Sequence, residues 1–514
     1  MSPSTEKRTS SPTASDPEAS IENEKLKTEV YNVDVDTSEV DEKKLLRKID
    51  IALIPWLSFL YLLSFLDRTS IGNAKLYHLE TDLHMTDNQY LLTLTIFFFS
   101  YAIFEVPSNV FLKRLRPSIW LSFLMFFWGI MMTLQGTVHN YPQLLGLRWL
   151  LGTFEAGLFP GVNYYLSCWY KRSEFGLRAA IFFSAATVSG AFGGLLAAAI
   201  SKMDGIGGKP AWAWIFILEG LLTVIAGALS FWIIQDFPDT AKFLTEAERT
   251  VVIRRLQGDD QFSAAGENLK LRNIFTSLKD WKTWIGMFVY VGCDMPLYAF
   301  SLFLPSIINQ LSFTANPANL LTVPVYVFAC IITCAVGFLA DRWQQRGYFN
   351  LGFLCLGGAG YIILIASRSA ALSYFAVFMA TCGIYPIIPN TISWVSNNVE
   401  GSYKRSVSLA MVIGFGNING AVSSNVYRAT DKPWYPLGHG LVLLYIGIGI
   451  IASSTFLIFL KRENARRERG ERDEWIENQP ETHLPQNEKN GRFATLADAK
   501  REKGDQWSGY RYTL

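Results

Sequence analysis

The sequence predicts an all-α membrane protein of twelve transmembrane helices in two six-helix bundles. Three observations carry this prediction. Half of the 514 residues are hydrophobic and only 18% are charged, a balance that soluble domains rarely show. The charges gather in the two tails and one central stretch, so the net charge of +2 hides long uncharged runs. Those runs have the length of about 20 apolar residues that a bilayer-spanning helix needs.

The elements follow in order. Residues 1–48 are polar, rich in Ser, Glu and Lys, and read as a disordered tail without a leader peptide. Six spans are expected at 49–72, 89–112, 117–137, 142–166, 177–201 and 211–235. A polar linker, 237–280, then interrupts the pattern. Pro238 stops the helix before it, and Thr245-Glu-Ala-Glu248 has the form of a capping box opening an amphipathic helix through Leu256. Six further spans are expected at 282–310, 317–340, 348–367, 371–395, 405–428 and 435–460, and 461–514 reads as a second disordered tail. The bundles, 49–236 and 281–460, are nearly equal, as duplicated bundles would be.

Loops after even-numbered spans hold ten Lys or Arg, among them Arg116, Lys171, Arg342 and Lys404, against six after odd-numbered spans. Both tails and the linker are therefore expected on the cytosolic side of a multi-pass protein, most simply in the plasma membrane. The six cysteines have no metal-ligand spacing, and the five histidines do not cluster. Composition argues against a soluble enzyme, and with no phosphate-cradling glycine loop and no nucleophile triad in the sequence, neither an ATP-driven pump nor an enzyme is expected, and no cofactor or metal is expected.

Charges inside the spans are costly and usually mark substrate paths or proton relays. In RWLLGTFEAGLFPG, Arg148 and Glu155 are seven residues apart, about 20° around a helix and about 10 Å along it. Gly152 lies between them on nearly the same face, where its lack of bulk would leave room for a guest. The bland alternative is a neutralised ion pair tying helices together. In FLDRTSIGNA, Asp67 and Arg68 either mark the point where span one leaves the membrane or lie within the bundle. These four groups sum to zero charge. A bound monoanion would bring the site to −1, so an acid should take up a proton with it, making anion and proton binding mutually favourable. Arg68 and Arg148 suit a carboxylate through two-point geometry; Tyr61, Tyr164, Tyr165 and Tyr298 are candidates for the remaining lining. Glu105 is expected to pair with basic loops, Glu219 to pair across the bundle, and Asp294 to lie one turn into span seven, at the site or at its rim.

GFLADRWQQRG, 337–347, resembles the loop between spans eight and nine of the major facilitator superfamily; the resemblance implies that Asp341 and Arg342 bridge helix ends and gate the cytosolic side. The first-half counterpart, SNVFLKRLRP, departs from that pattern. EVPSN…RPS, LDRTSIGNA, RWLLGTFEAGLFPG, WYKRSEFGLR, FLPSII and GFGNINGAVSSNVYRATDKPWYPLGHG together resemble the anion:cation symporter branch over about residues 45–460. Within it the chain is similar to the fungal allantoate permease group, which includes nicotinate, pantothenate, biotin and allantoate carriers; FSLFLPSII and YRATDKPWYPLGHG resemble the nicotinate-carrier-like members. The resemblance implies anion contact for Arg68 and Arg148, proton carriage for Asp67 and Glu155, and site lining for Asn417. Ala213, where relatives commonly carry Arg, and Asp294 depart from the pattern.

The leading expectation is thus a proton-coupled importer of a small organic carboxylate anion, working as a monomer in the lipid bilayer with no nucleic-acid partner. A proton-driven exporter is the alternative, disfavoured because TVSGAFGGLLAAA in span five has glycines but no proline. A non-transporting nutrient sensor is the second alternative, disfavoured by the modest tails.

Overall fold

The computed structural model describes residues 31, 32, 34–257, 277–311, 313–400, 402–477 and 490–514. Of the disordered tail expected over 1–48, residues 1–30 and 33 lie outside the described residues, as does most of the linker past 257, and 42–48 are helical rather than disordered, forming the first turns of the first helix. The first half comprises α1 (Glu42–Lys75), α2 (Asp87–Arg114), α3 (Pro117–Gln135), α4 (Tyr141–Glu155), α5 (Leu158–Ser167), α6 (Arg172–Ile200) and α7 (Ala211–Ile233). The linker helix is α8 (Glu246–Gln257). The second half comprises α9 (Trp281–Asn309), α10 (Ala315–Trp343), α11 (Arg346–Ala366), α12 (Ala370–Ile384), α13 (Ile387–Asn397), α14 (Ser402–Ser423) and α15 (Pro436–Glu468), and a short α16 (Leu496–Lys503) follows.

Taking α4–α5 and α12–α13 each as one broken rod, and setting aside the linker helix α8 and the tail helix α16, these helices make twelve rods. Nine are long and apolar enough to cross a membrane, counted among the described residues. The other three, α2, α4–α5 and α14, carry the polar groups Glu105, Arg148, Glu155 and Asn417 into the interior. Ile225, Trp232, Ile331, Phe375 and Ile451 face outward, as lipid-facing side chains do.

Both fourth rods break at the same register, and proline explains it. Pro160 and Pro389 cannot donate to the carbonyl four residues earlier, and their rings crowd it. Those carbonyls belong to Ala156 and Tyr385, the residues just past the ends of α4 and α12. Glu155 is therefore the last residue of α4; its counterpart at the end of α12 is the apolar Ile384.

Between the halves, α6 packs on α10, α2 on α14 and α1 on α9. Numbering rods one to twelve, these contacts are 5–8, 2–11 and 1–7. An exchange of each rod with the one six places away maps 2–11 onto 8–5 and returns 1–7 to itself, so the interface has two-fold pseudosymmetry. Small residues allow the approach: a side chain at Gly72 would strike the Leu302 carbonyl, and Gly190 and Gly194 of α6 lie against Tyr326, Asn319 and Thr322 of α10.

The linker helix has the expected capping box, with Thr245 N donating to Glu248 Oε2 (2.9 Å) and Glu248 N to Thr245 Oγ1 (3.3 Å). It is tied to the first turns of α1 by Lys48–Glu248 at 2.7 Å. The C-terminal tail corrects the expectation of disorder. Residues 490–514 fold back onto the second half. Asp505 pairs with the buried Lys282 and, at 2.9 Å, with Lys404. Trp394 Nε1 and Asn398 Nδ2 donate to the Thr513 carbonyl at 3.1 and 3.0 Å. Asp280 completes the cluster, 2.6 Å from Lys404, so the buried Lys282 and the half-buried Lys404 meet two aspartates and the four charges cancel.

Candidate functional site

The α1 helix continues without interruption past Asp67 and Arg68, and both are buried. The pair therefore lies inside the bundle, and the exit from the membrane comes later. Adjacent helical residues point about 100° apart, and the two side chains accordingly serve different neighbourhoods. Arg68 faces a small cavity between the halves, lined by Tyr61, Phe65, Tyr101, Phe159, Phe183, Tyr290, Asp294, Leu297, Tyr298 and Asn417. Asp67 faces α7.

At the cavity wall five residues form a hydrogen-bonded chain. Glu155 Oε1 accepts from Ser64 Oγ (2.7 Å) and from Arg68 Nε (3.0 Å) and Nη2 (2.5 Å). Arg68 Nη1 donates to Tyr298 OH at 2.8 Å. That hydroxyl donates to Asn417 Oδ1 at 3.0 Å, and Asn417 Nδ2 donates to Glu105 Oε2 at 3.1 Å. The chain starts on a first-half carboxylate, crosses two second-half side chains and ends on another first-half carboxylate. Four rings, of Phe65, Phe97, Tyr101 and Tyr298, lie 5.1–5.5 Å from the Arg68 guanidinium carbon. Their π faces favour a cation there whether or not its counter-ion is engaged.

The second neighbourhood lies behind this wall, within the first half. Thr223 Oγ1 of α7 donates to Asp67 Oδ2 at 2.9 Å, and Asp67 Oδ1 accepts no hydrogen bond within 3.5 Å among the described residues. Both carboxylate oxygens of Glu219, one turn earlier, are buried without hydrogen-bond partners among the described residues. Arg148 is buried with its Nε and Nη2 unpartnered and its guanidinium carbon 5.7 Å from the Phe216 ring centre.

Several sequence expectations change. Arg148 does not line the cavity. Gly152 leaves no room for a guest, because the Phe97 carbonyl and Ser100 Oγ of α2 occupy the space its side chain would take; the glycine lets α2 and α4 touch. Glu105 meets Asn417 and not a basic loop. Glu219 finds no partner across the bundle. Asp294 is the fourteenth residue of α9, more than three turns in, and it lines the cavity. Of the candidate tyrosines, Tyr61 and Tyr298 line it, whereas Tyr165 OH donates to the Gln235 carbonyl at 2.8 Å, at the end of α7. Ala213 is buried, its carbonyl beside Gly136 of α3.

Asp341, at the end of α10, pairs with Arg346, and Arg346 Nη1 donates to Asn390 Oδ1 at 3.1 Å. Gly176 of α6 lies against this pair, and an added Cβ would be 3.0 Å from Asp341 Oδ1. Arg342 is exposed and makes no ion pair among the described residues. At the opposite end of the bundle, Tyr77 OH donates to Asn316 Oδ1 (2.7 Å) and Asp87 Oδ2 accepts from Ala429 N (3.0 Å). The halves thus touch on both sides of the cavity.

A family model described as Major Facilitator Superfamily matches residues 57–424. The chain belongs to the major facilitator superfamily. It is 36% identical over 443 residues to the MFS-type transporter cnsO of Penicillium expansum, covering 84% of this chain and 86% of that one. It is 33% identical over 427 residues to the high-affinity nicotinic acid transporter of Saccharomyces cerevisiae, covering 83% and 79%. Among solved structures, a bacterial homologue of the human lysosomal transporter Spinster, in an inward-facing and occupied conformation, superposes with a TM-score of 0.60 at 15% identity, covering 81% of this chain and 97% of that one. The chain is a multi-pass membrane transporter and not an enzyme.

Proposed function

We propose that this transporter imports a small organic carboxylate anion together with protons, by alternating access of the two halves about the central cavity. The reading places it in the anion:cation symporter branch, with nicotinate or a related monocarboxylate as substrate, the termini cytosolic and the plasma membrane as its site. One observation carries it: the cation facing the cavity, Arg68, is already held by Glu155. A substrate carboxylate competes for the same donors. Proton uptake by Glu155 removes the competing charge and hands Arg68 to the substrate; loss of the proton reverses the exchange. Anion and proton then bind cooperatively, and each raises the affinity for the other by the same factor.

Charge balance supports the same coupling. Seven ionisable side chains are buried in the central region: Asp67, Arg68, Glu105, Arg148, Glu155, Glu219 and Asp294. Five carboxyls face two guanidiniums, and protons are the natural means of making up the deficit. The membrane potential opposes uptake of an anion by about 2.3 kcal/mol per charge per 100 mV, which one accompanying proton cancels. The nicotinic acid transporter among its relatives points to the same substrate class.

Radiotracer uptake of small carboxylates, in cells lacking their own carriers, tests the reading. Uptake should rise as external pH falls, collapse with a protonophore and vanish in Arg68→Ala. Uptake indifferent to pH and protonophore would refute it.

A further inference from the structure

The second half brings one charged side chain to the cavity, and the proton–anion exchange does not use it. Asp294 is 2% exposed, and its Oδ2 is buried without a hydrogen-bond donor among the described residues. The wall it touches offers none, since Gly416 lies against it, with an added Cβ 3.0 Å from Oδ2. Arg68 does not neutralise it, as the only ion pair of Arg68 within 4 Å among the described residues is with Glu155. A buried carboxylate without a partner is costly unless a ligand supplies one.

Tyr290, Asp294 and Tyr298 recur every four residues and form one stripe on the cavity face of α9. Tyr298 carries the Arg68 end of the site. Asp294 is one helical turn away, about 6 Å along the axis. Around the acid the walls are aromatic, with Tyr61, Phe159, Phe183 and Tyr290 among the lining residues, and ring faces attract cationic nitrogen.

We propose that the transported carboxylate is one end of a small zwitterion, whose protonated or quaternary nitrogen is received by Asp294 and the surrounding rings while its carboxylate takes Arg68. This rests on the carboxylate reading above and adds the second charge. A plain monoanion would add to the negative charge beside Asp294, whereas a zwitterion spanning about one helical turn adds no net charge and meets a complementary group at each end.

The test uses matched acids differing in the far nitrogen: piperidine-3-carboxylate against cyclohexanecarboxylate, and N-methylpyridinium-3-carboxylate against benzoate. Uptake by the full-length wild-type chain should favour the nitrogen-bearing member of each pair by at least about tenfold, the discrimination expected of a site whose buried charge is otherwise left unpaired. Asp294→Asn should erase that preference by weakening the nitrogen-bearing members alone, and Asp294→Glu should keep it in part. Equal wild-type uptake of both members overturns the proposal without any variant, as does an Asp294→Asn effect that falls equally on both. If neither class is taken up, the carboxylate reading falls and takes this one with it. Uptake of plain acids alone, still dependent on Arg68 and pH, would sink only the zwitterion.

Discussion

Replacing Glu155 by glutamine should tighten carboxylate binding at high pH while abolishing its pH dependence. Glutamine has the shape of the protonated acid and can still accept from Ser64, but it no longer holds Arg68 by charge. In the wild type the Glu155 oxygen receives two guanidinium hydrogen bonds and one from Ser64. Hydrogen bonds to charged groups contribute about 1.5–3 kcal/mol each. Arg68 keeps Tyr298 and its four rings in either case, so we take the competition removed as about 2 kcal/mol, or about thirtyfold in Kd at 1.4 kcal/mol per tenfold. Equilibrium binding to purified protein at pH 8 and pH 5.5 reads this directly. Wild-type affinity should weaken between pH 5.5 and pH 8, while the variant should match the tighter wild-type value at both. Accumulation against a gradient should be lost. A variant that binds more weakly than wild type at pH 8, or that still responds to pH, would refute the competition between Glu155 and substrate.

Arg148→Met removes a buried cation outside the cavity, so uptake should fall by about a hundredfold or more while substrate Kd stays within about threefold; a matching loss of affinity would return Arg148 to the binding site. Gly152→Ala sets a methyl group against the Phe97 carbonyl and Ser100 Oγ and should cost about 1–3 kcal/mol, seen as a lower melting temperature in detergent; an unchanged melting temperature would mean α2 and α4 can part freely. Asp505→Asn leaves Lys282 and Lys404 to share Asp280 and should cost about 3 kcal/mol by the same measurement, with Trp507 fluorescence reporting release of the tail. At Asp280, which caps α9 outside the membrane span, burial works to raise the carboxyl pKa, but Lys282 and Lys404 outweigh it and hold the group below its ordinary value. Its contribution is therefore complete above about pH 4 and lost as pH falls further, and the tail should loosen in acid but not in mild alkali.

Apolar run length exposed the twelve rods to sequence reading, because the bilayer sets the period of the pattern. The capping box at Thr245 was equally legible, since it depends on neighbours three residues apart. Helical spacing showed that Arg148 and Glu155 share a face, but not what that face meets. Gly152 could have lined a cavity or seated a helix, and only the position of α2 decides. The contact between Glu105 and Asn417 joins residues 312 apart, which no local pattern encodes. Asp294 was visible as an unexpected charge; the glycine beside it, which leaves it unpartnered, belongs to another helix. The ordered tail has a sequence signal of its own: Trp507, Tyr510 and Tyr512 in the last eight residues are aromatic weight that a solvated tail has no use for.

The central claim is that the substrate carboxylate gains Arg68 only when Glu155 takes a proton. Its most direct test is to follow substrate and protons together in liposomes containing purified protein, with a trapped pH indicator and no imposed gradient. Adding substrate outside should acidify the lumen, with at least one proton entering per substrate, and Glu155→Gln should exchange substrate without moving protons. Net wild-type substrate influx with no change in lumenal pH would contradict the account.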